Sequence, residues 1–219
     1  AHELAVFAGA GFGFVCVDHQ IGRAAIGLLG HEGPFQARGK ARAAPAPQAR
    51  CLDLLDDRIT AARDDRGAFM RSWCRESFVA AGIDFTPIQA SLSENTLKHT
   101  LRGMHFQAAP AEEQKLIRCV RGAVHDVLLD LRPDQPSYLK HVAVTLDSKA
   151  ANAVFVPRGI AHGFLSLTDD AVVEYMIDTP YAPELARGVR WNDPAFGIAW
   201  PAEPKVISGR DNAWPLLHG

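Results

Sequence analysis

Short alternations of apolar and polar residues dominate the chain from residue 52 onward. Successive side chains on a β-strand point to opposite faces of its sheet, so a period of two predicts strands. The predicted strands cover residues 114–120, 124–131, 141–146, 153–156, 163–167 and 171–177. Clusters rich in Pro, Gly and Asp separate them, as expected of turns.

This spacing of short strands favours an all-β fold, an antiparallel jelly roll of the barrel or sandwich type, over a parallel sheet. Few helices are expected. One is predicted around residues 77–81, and a second short one near Glu184.

Residues 1–50 differ in composition from the rest of the chain. They begin with a stretch rich in Gly, Ala and Phe and end in an Ala/Pro/Arg-rich stretch typical of a linker. Glycines at positions 9, 11 and 13 resemble part of a dinucleotide fingerprint, but Phe14 stands where the third glycine belongs. We therefore predict an N-terminal extension, 1–50, without a catalytic role, and a catalytic domain, 51–219.

The nearly balanced charge of the chain argues against binding to extended anionic surfaces such as nucleic acid or a membrane. With 23 basic and 25 acidic residues, the formal net charge is -2, so neither nucleic-acid nor membrane binding is expected and any anion site must be local.

The uncharged run 4–17 is too short to span a bilayer and lacks the features of a signal peptide. The four cysteines form no CxxC pair, and we expect a cytoplasmic protein with reduced thiols.

The run 101–107, Leu-Arg-Gly-Met-His-Phe-Gln, holds the first candidate for chemistry. His105 could be a core residue or a base, and Lys115, which heads the next alternating run, is costly to bury unless an anion meets it. Arg102 has a fork that suits phosphate oxygens. Strict alternation points Arg102 away from the face of His105, and a bend at Gly103 or an approach from the rim would reconcile the two. These residues indicate proton chemistry on an anionic substrate.

Other candidates follow further along the chain. Tyr175 could be a half-buried core residue or a proton donor. His162 follows a turn and could point into a cavity, and Asp126 or Asp130 shares a face with apolar residues, where a histidine would be a suitable partner. The position of Asp211 does not follow from these patterns.

A metal site is not expected. The HxH motif of metal-binding jelly rolls is absent, since Gln107 stands where the second histidine would be. His99 and His105 are too far apart on one strand, and His125 and His141 stand alone.

Taken together, the residues resemble the dTDP-4-dehydrorhamnose 3,5-epimerase family, the RmlC-type cupins. The resemblance covers roughly 53–217. Its motifs occur in the family's order, at residues 65–67, 101–107, 115–118, 126–130, 156–164, 181–183, 188–194 and 197–201.

The resemblance implies a homodimeric jelly-roll isomerase that needs no redox cofactor or metal. It would invert C3, C5 or both in a 4-keto-6-deoxyhexose carried on a nucleoside diphosphate. His105 matches the catalytic base and Tyr175 the general acid. Lys115 and His162 match residues near the keto oxygen. Asp211 matches the aspartate that pairs with the base.

Asp126 is the second choice for that aspartate. The implied nucleotide contacts are Arg66, Gln89, Arg102 and Arg210, with Tyr181 stacked on thymine.

The sequence departs from the family pattern mainly at positions expected to contact the nucleotide. Arg71 and Ala186 replace glutamates, and Ala-Ser-Leu-Ser occupies 90–93. A nucleotide other than dTDP is therefore left open, and Arg71 is a candidate substrate contact. The alternatives are a sugar-nucleotide ketoisomerase, a metal-dependent cupin enzyme and a non-catalytic sugar-binding jelly roll.

Overall fold

Two antiparallel sheets form the core of the computed structural model, which describes residues 5–8, 13–16 and 62–218. The strands are β1 (Ala5–Ala8), β2 (Gly13–Cys16), β3 (Ala62–Asp64), β4 (Gly67–Phe69), β5 (Gln89–Asn95), β6 (Thr100–Gln107), β7 (Lys115–Arg121), β8 (Ala123–Asp130), β9 (His141–Asp147), β10 (Ala153–Val156), β11 (Ile160–Ser166), β12 (Ala171–Ile177), β13 (Ala186–Gly188) and β14 (Val206–Ile207). Helix α1 spans Arg75–Ala80, and short 3-10 helices span Pro183–Leu185 and Asp211–Ala213.

The first sheet has the strand order β2-β1-β10-β7-β12-β5, and the second has the order β13-β6-β11-β8-β9. Strand β14 joins β6 in parallel, and β3 and β4 form a separate hairpin. The all-β, antiparallel prediction is confirmed, and so are the predicted short helices near residues 77–81 and 184.

The space between the sheets is filled by apolar side chains. A cluster including Ile117, Val124, Leu128, Val154 and Phe164 is almost fully buried there. Burial of this kind is the dominant stabilising contribution to folding. It also fixes the position of one sheet relative to the other, and a site built between the sheets depends on that position.

The outer faces are covered as well. Helix α1 packs Phe78 against Phe155 on the first sheet, and Phe196 covers Val127 and Leu129 on the second. Strand β8 is therefore buried on both faces except at His125. None of the helices in the described part of the chain is long and apolar enough to cross a bilayer.

A β-bulge interrupts the pairing of β6 with β11. His105 lies opposite His162, whereas Arg102 lies opposite Phe164, so one residue of β11 faces two residues of β6. Gly103 has a φ of +133°, which only glycine adopts readily, and a Cβ there would lie 2.4 Å from Cα of Gly163. The bulge shifts the side-chain alternation by one residue, so strict alternation is wrong at Arg102.

The chain after β13 wraps back onto the second sheet. The Asp193 carboxylate accepts a hydrogen bond from the backbone N–H of Leu217 at 2.6 Å, and Arg190 donates to the carbonyl of Trp214 at 2.5 Å. These contacts hold the 3-10 helix Asp211–Ala213 beside β6.

The division into an extension and a catalytic domain stays a prediction. Strands β1 and β2 belong to the predicted extension, and β1 pairs with β10 at the edge of the first sheet. The predicted boundary near residue 50 lies outside the described residues.

Candidate active site

A cavity of about 660 Å³ opens between the two sheets. Strands β6, β7, β11 and β12 supply its wall, and the segment 206–211 closes one side. Its polar and charged side chains include Arg102, His105, Gln107, Glu113, Lys115, His162, Tyr175, Tyr181, Arg187, Arg210 and Asp211. Most of the residues singled out by the sequence therefore meet in one place.

His105 and Asp211 form a hydrogen-bonded pair in this cavity, with Nε2 of the imidazole 2.6 Å from Oδ1 of the carboxylate. The carboxylate can only accept, so Nε2 is the donor in this contact, and Nδ1 is the acceptor nitrogen of the neutral ring in that tautomer. A neutral imidazole held in one tautomer in this way can act as a general base.

Asp211 is itself held in place from two sides. Its Oδ2 accepts the backbone N–H of Gly103 at 3.3 Å, and its own N–H donates to Oγ of Ser208 at 3.0 Å. Burial alone would raise the pKa of Asp211, but the hydrogen bonds from His105, Gly103 and Ser208 together hold the pKa below its ordinary value. The carboxylate therefore stays ionised beside the imidazole at neutral pH.

The second aspartate considered for this role has a different partner. Asp126 is fully buried, and its Oδ2 lies 2.7 Å from Nε2 of His162. The imidazole ring of His162 meets the ring of Tyr175 edge to face, with 5.8 Å between the centroids. The two aspartates thus orient two different histidines.

Tyr175 faces the cavity from β12, in the sheet opposite the one that carries His105. Burial raises the pKa of Tyr175 far above its ordinary value, and the negative charge of Asp126 raises it further, while Arg102 acts in the opposite direction. The phenol is consequently protonated at neutral pH, as a proton donor must be.

Lys115 contacts a residue that the sequence analysis did not single out. Its Nζ lies 2.7 Å from Oε1 of Glu113, and both side chains are about nine-tenths buried in the cavity wall. A glutamate two residues before a lysine in extended chain lies on the same side of the backbone, and this spacing could have revealed the pair.

Cations surround the open part of the cavity. Arg102 donates to Oδ1 of Asn95 at 2.8 Å and to the carbonyl of Glu94 at 3.0 Å, and Arg210 lies over the ring of Trp214. Arg187, another residue missed by the sequence analysis, also lines this region. With Lys115 they make the site locally positive in a chain of nearly balanced charge, as an anionic ligand requires.

Tyr181 stands at the rim of the cavity with most of its surface exposed. Gln107 fixes the loop on which it stands, because its Nε2 donates to the carbonyl of Pro180 at 3.1 Å and its Oε1 accepts the N–H of Ala182 at 2.6 Å. An exposed aromatic ring on a fixed loop is suited to stacking against a flat ligand group.

Three predicted substrate contacts do not line the cavity. Arg66, in the β3–β4 hairpin, is exposed and paired with Asp64. Arg71 is exposed beside Cys74, and Gln89 of β5 donates to the carbonyl of Thr179 at 2.6 Å. Within a single chain, these side chains contact other protein groups.

The described residues hold no group of three or more His, Cys, Asp and Glu side chains arranged to bind a metal ion. The side chains that line the cavity are capable of proton transfer, with His105 on one sheet and Tyr175 on the other.

The fold and the cavity define a jelly-roll protein in which a histidine, a tyrosine and several cationic side chains line one cavity. The dTDP-4-dehydrorhamnose 3,5-epimerase family model matches residues 53–219. The dTDP-4-dehydrorhamnose 3,5-epimerase of Sinorhizobium fredii is 39% identical over 150 residues, which cover 68% of this chain and 75% of that one. The chain belongs to the dTDP-4-dehydrorhamnose 3,5-epimerase family, a family of isomerases.

Solved structures agree with this assignment. The dTDP-4-dehydrorhamnose 3,5-epimerase of Bacillus anthracis, solved with TDP and PPi bound, superposes with a TM-score of 0.71 at 34% identity, covering 73% of this chain and 91% of that one. A 3'-monoepimerase of Streptomyces bikiniensis in complex with dTDP-quinovose gives a TM-score of 0.69 at 35% identity, covering 74% and 82%.

Proposed function

We propose that this protein inverts C3, C5 or both in a 4-keto-6-deoxyhexose carried on a nucleoside diphosphate. The observation that carries the proposal is the placement of His105, oriented by Asp211, on one sheet and Tyr175 on the sheet opposite. A base and an acid on opposite sides of one cavity are what inversion at a carbon requires.

The keto group at C4 makes removal of a proton from C3 or C5 possible. A carbonyl at C4 acidifies the hydrogens on C3 and C5, because removal of either leaves an enolate on the same oxygen. His105 takes the proton, and the electron pair of the C–H bond moves into the enolate. General-base assistance of this kind contributes about 10²–10⁴-fold to the rate.

Charge on the enolate oxygen needs a cationic partner. Lys115 supplies it from the cavity wall, and His162, held by Asp126, stands nearby beside Tyr175. Stabilisation of developing charge by preorganised groups is usually the largest contribution in such sites.

Tyr175 then returns a proton to the same carbon from the opposite side, which inverts the centre. The imidazole is left protonated and the phenol deprotonated, and exchange with water restores both. No electron is transferred to or from the substrate.

The rest of the substrate is held by the positive region. Arg102 and Arg210 would bind the diphosphate, and Tyr181 would stack on the base. This supports a nucleoside diphosphate as the carrier, since the bound ligands of the B. anthracis and S. bikiniensis relatives are TDP with PPi and dTDP-quinovose. Binding energy from this remote part holds the sugar between base and acid.

We also propose that two copies of the chain associate. Strand β5 is an edge of the first sheet, and Leu92 on β5 and Phe69 on the β3–β4 hairpin are 65% and 80% exposed. A second copy at this edge would cover the apolar side chains. It would also bring Arg66, Arg71 and Gln89 toward a neighbouring cavity, as their predicted role requires.

The test is isotope exchange. The protein is incubated in D2O with dTDP-4-keto-6-deoxy-glucose, and C3 and C5 are followed by NMR. We expect deuterium at one or both carbons, with none when His105→Ala replaces the wild type. Wild-type protein that leaves both positions protonated would contradict the proposal.

A further inference from the structure

We infer that Glu113 determines substrate specificity by accepting a hydrogen bond from the C3 hydroxyl of the sugar. The inference rests on the proposed epimerase function and adds the group by which the site recognises its sugar.

Glu113 is placed to touch a ligand. It lines the same cavity as His105 and Tyr175, yet only 11% of its side chain is exposed. Burying a carboxylate to this extent is unfavourable unless partners stabilise its charge. Lys115, at 2.7 Å from Oε1, is one such partner.

No hydrogen bond or ion pair from the described residues reaches the second carboxylate oxygen of Glu113. Among the described residues of the cavity wall, Asp211 uses both of its oxygens, one for His105 and one for Gly103. Within the part of the chain that the structure describes, Glu113 bonds only through Oε1, so Oε2 remains as an acceptor on a residue of the cavity wall. A carboxylate oxygen accepts only, so the partner that a ligand can offer it is a hydrogen-bond donor.

The backbone around Glu113 is fixed before any ligand arrives. The N–H of Gln114 donates to Oδ1 of Asp178 at 2.8 Å, and the Asp178 N–H donates back to the Gln114 carbonyl at 3.3 Å. On the other side, Oγ1 of Thr179 donates to the carbonyl of Glu112 at 3.1 Å. A group held on both sides in this way loses little entropy on binding, which favours recognition.

The chemistry of the sugar identifies the donor. With Lys115 on the keto oxygen at C4, Glu113 reaches only substituents of the adjoining carbons. C5 carries a hydrogen, the ring oxygen and the methyl carbon, and none of them donates a hydrogen bond. C3 carries a hydroxyl, which does.

The contact also explains why a carboxylate is tolerated next to a lysine that must stabilise an enolate. An unshared negative charge at this position would oppose the enolate, whereas a hydroxyl donating to Oε2 disperses that charge over a second hydrogen bond. Glu113 therefore binds the substituent of one of the carbons that can be inverted.

The test compares two substrates and two enzymes. Proton exchange at C5 is measured for the 4-keto-6-deoxyhexose nucleotide and for its 3-deoxy analogue, with wild type and Glu113→Gln. We expect the substitution to lower kcat/KM about 10-fold for the hydroxylated substrate and less than about 3-fold for the analogue, because only in the first case is a hydrogen bond to a charged acceptor weakened to one with a neutral amide. Equal losses for both substrates would show that Glu113 acts only through Lys115 and would overturn the inference.

Two further measurements keep the outcomes separate. Glu112→Gln is the matched control, since its side chain does not line the cavity, and it should change neither rate. The two values of kcat/KM can also be compared with wild type alone. If wild type prefers the hydroxylated substrate by less than about 3-fold, the inference is overturned even if Glu113→Gln fails to fold. Absence of exchange with wild type and either substrate would instead count against the proposed function itself.

Discussion

Nε2 of His105 lies 2.6 Å from Oδ1 of Asp211, although 106 positions separate the two residues in the chain. One belongs to the central part of the second sheet and the other to a short 3-10 helix that the chain forms after leaving both sheets. Several expected outcomes depend on how this pair is held and on what faces it across the cavity.

Asp211→Asn should lower kcat by about 100-fold with a smaller change in KM. An amide can donate to Nε2 of His105 and so favour the tautomer in which Nδ1 carries the proton, which removes the base. Steady-state kinetics of epimerisation is the measurement. Asp134→Asn, at an exposed position in the loop after β8, is the control, and an equal loss in both variants would contradict the role of Asp211.

Tyr175→Phe should separate proton removal from inversion. The base is untouched, so hydrogen exchange with D2O should continue, whereas inversion should fall by about 10²-fold because the acid on the opposite sheet is lost. NMR of the exchanged and inverted products measures both rates in one experiment. Tyr138→Phe, at a partly exposed tyrosine outside the cavity, is the matched control. If Tyr175→Phe lost exchange and inversion to the same extent, Tyr175 would be excluded as the acid.

The stability contributed by Asp130 should depend on pH. Burial would raise the pKa of this carboxyl, but hydrogen bonds from Arg132 and Ser137 lower the pKa below the ordinary 3.8. A lowered folded-state pKa gives stability that is present above the unfolded-state value and is lost as the pH falls through the folded-state value.

Asp130→Asn should therefore cost about 2 kcal/mol of unfolding free energy between about pH 5 and 8, and the difference from wild type should shrink below about pH 4. Urea unfolding across this range measures it. A difference that grows on acidification would contradict the assignment.

Gly103→Ala should destabilise the fold by about 3 kcal/mol, because a Cβ would collide with the backbone of Gly163 and the φ of +133° is strained for alanine. Gly209→Ala is the matched control, since a Cβ there meets nothing within 4 Å. Thermal and urea unfolding of the two variants give the comparison, and similar stabilities would argue against the close approach at the bulge.

Asp193→Asn should lower activity indirectly, because Asp193 holds the C-terminal segment that carries Asp211. The two carboxylate oxygens accept the N–H groups of Ala195 and Leu217, and an asparagine keeps only one acceptor oxygen. The change should loosen the segment that carries Asp211, so kcat should fall by about 10-fold while KM changes little. The imidazole N–H of His105 should give a hydrogen-bonded proton NMR signal in wild type, and this signal should weaken in the variant. Leu217→Pro removes the same hydrogen bond from the other side and should reproduce the effect, and an unchanged NMR signal in both would contradict it.

The strands were predictable because their pattern is local. Residues 124–131 and 171–177 alternate in a way that depends only on near neighbours in sequence, and β8 and β12 lie within a residue of those bounds. The position of Arg102 was not predictable by alternation, since the bulge depends on the contact between Gly103 and Gly163, which are sixty positions apart.

The composition of the site was only partly predictable for the same reason. Glu113 has the sequence context of a solvated surface charge, and its burial follows from contacts of its neighbours with Asp178 and Thr179, far along the chain. Asp211 lies in a segment without strong periodicity, and its place beside His105 results from the wrapping of the C-terminal segment. Periodicity identifies elements, but it carries no information on which distant loops meet.

That wrapping has a consequence for synthesis of the protein. The ribosome completes β6, with His105, more than a hundred residues before it adds Asp211. A nascent chain can therefore pair most strands of the sandwich while its imidazole still lacks a carboxylate to orient it. The residues after β14 must emerge and close onto the sheet before the imidazole gains this partner, so the His105–Asp211 pair is completed only after most of the fold has formed.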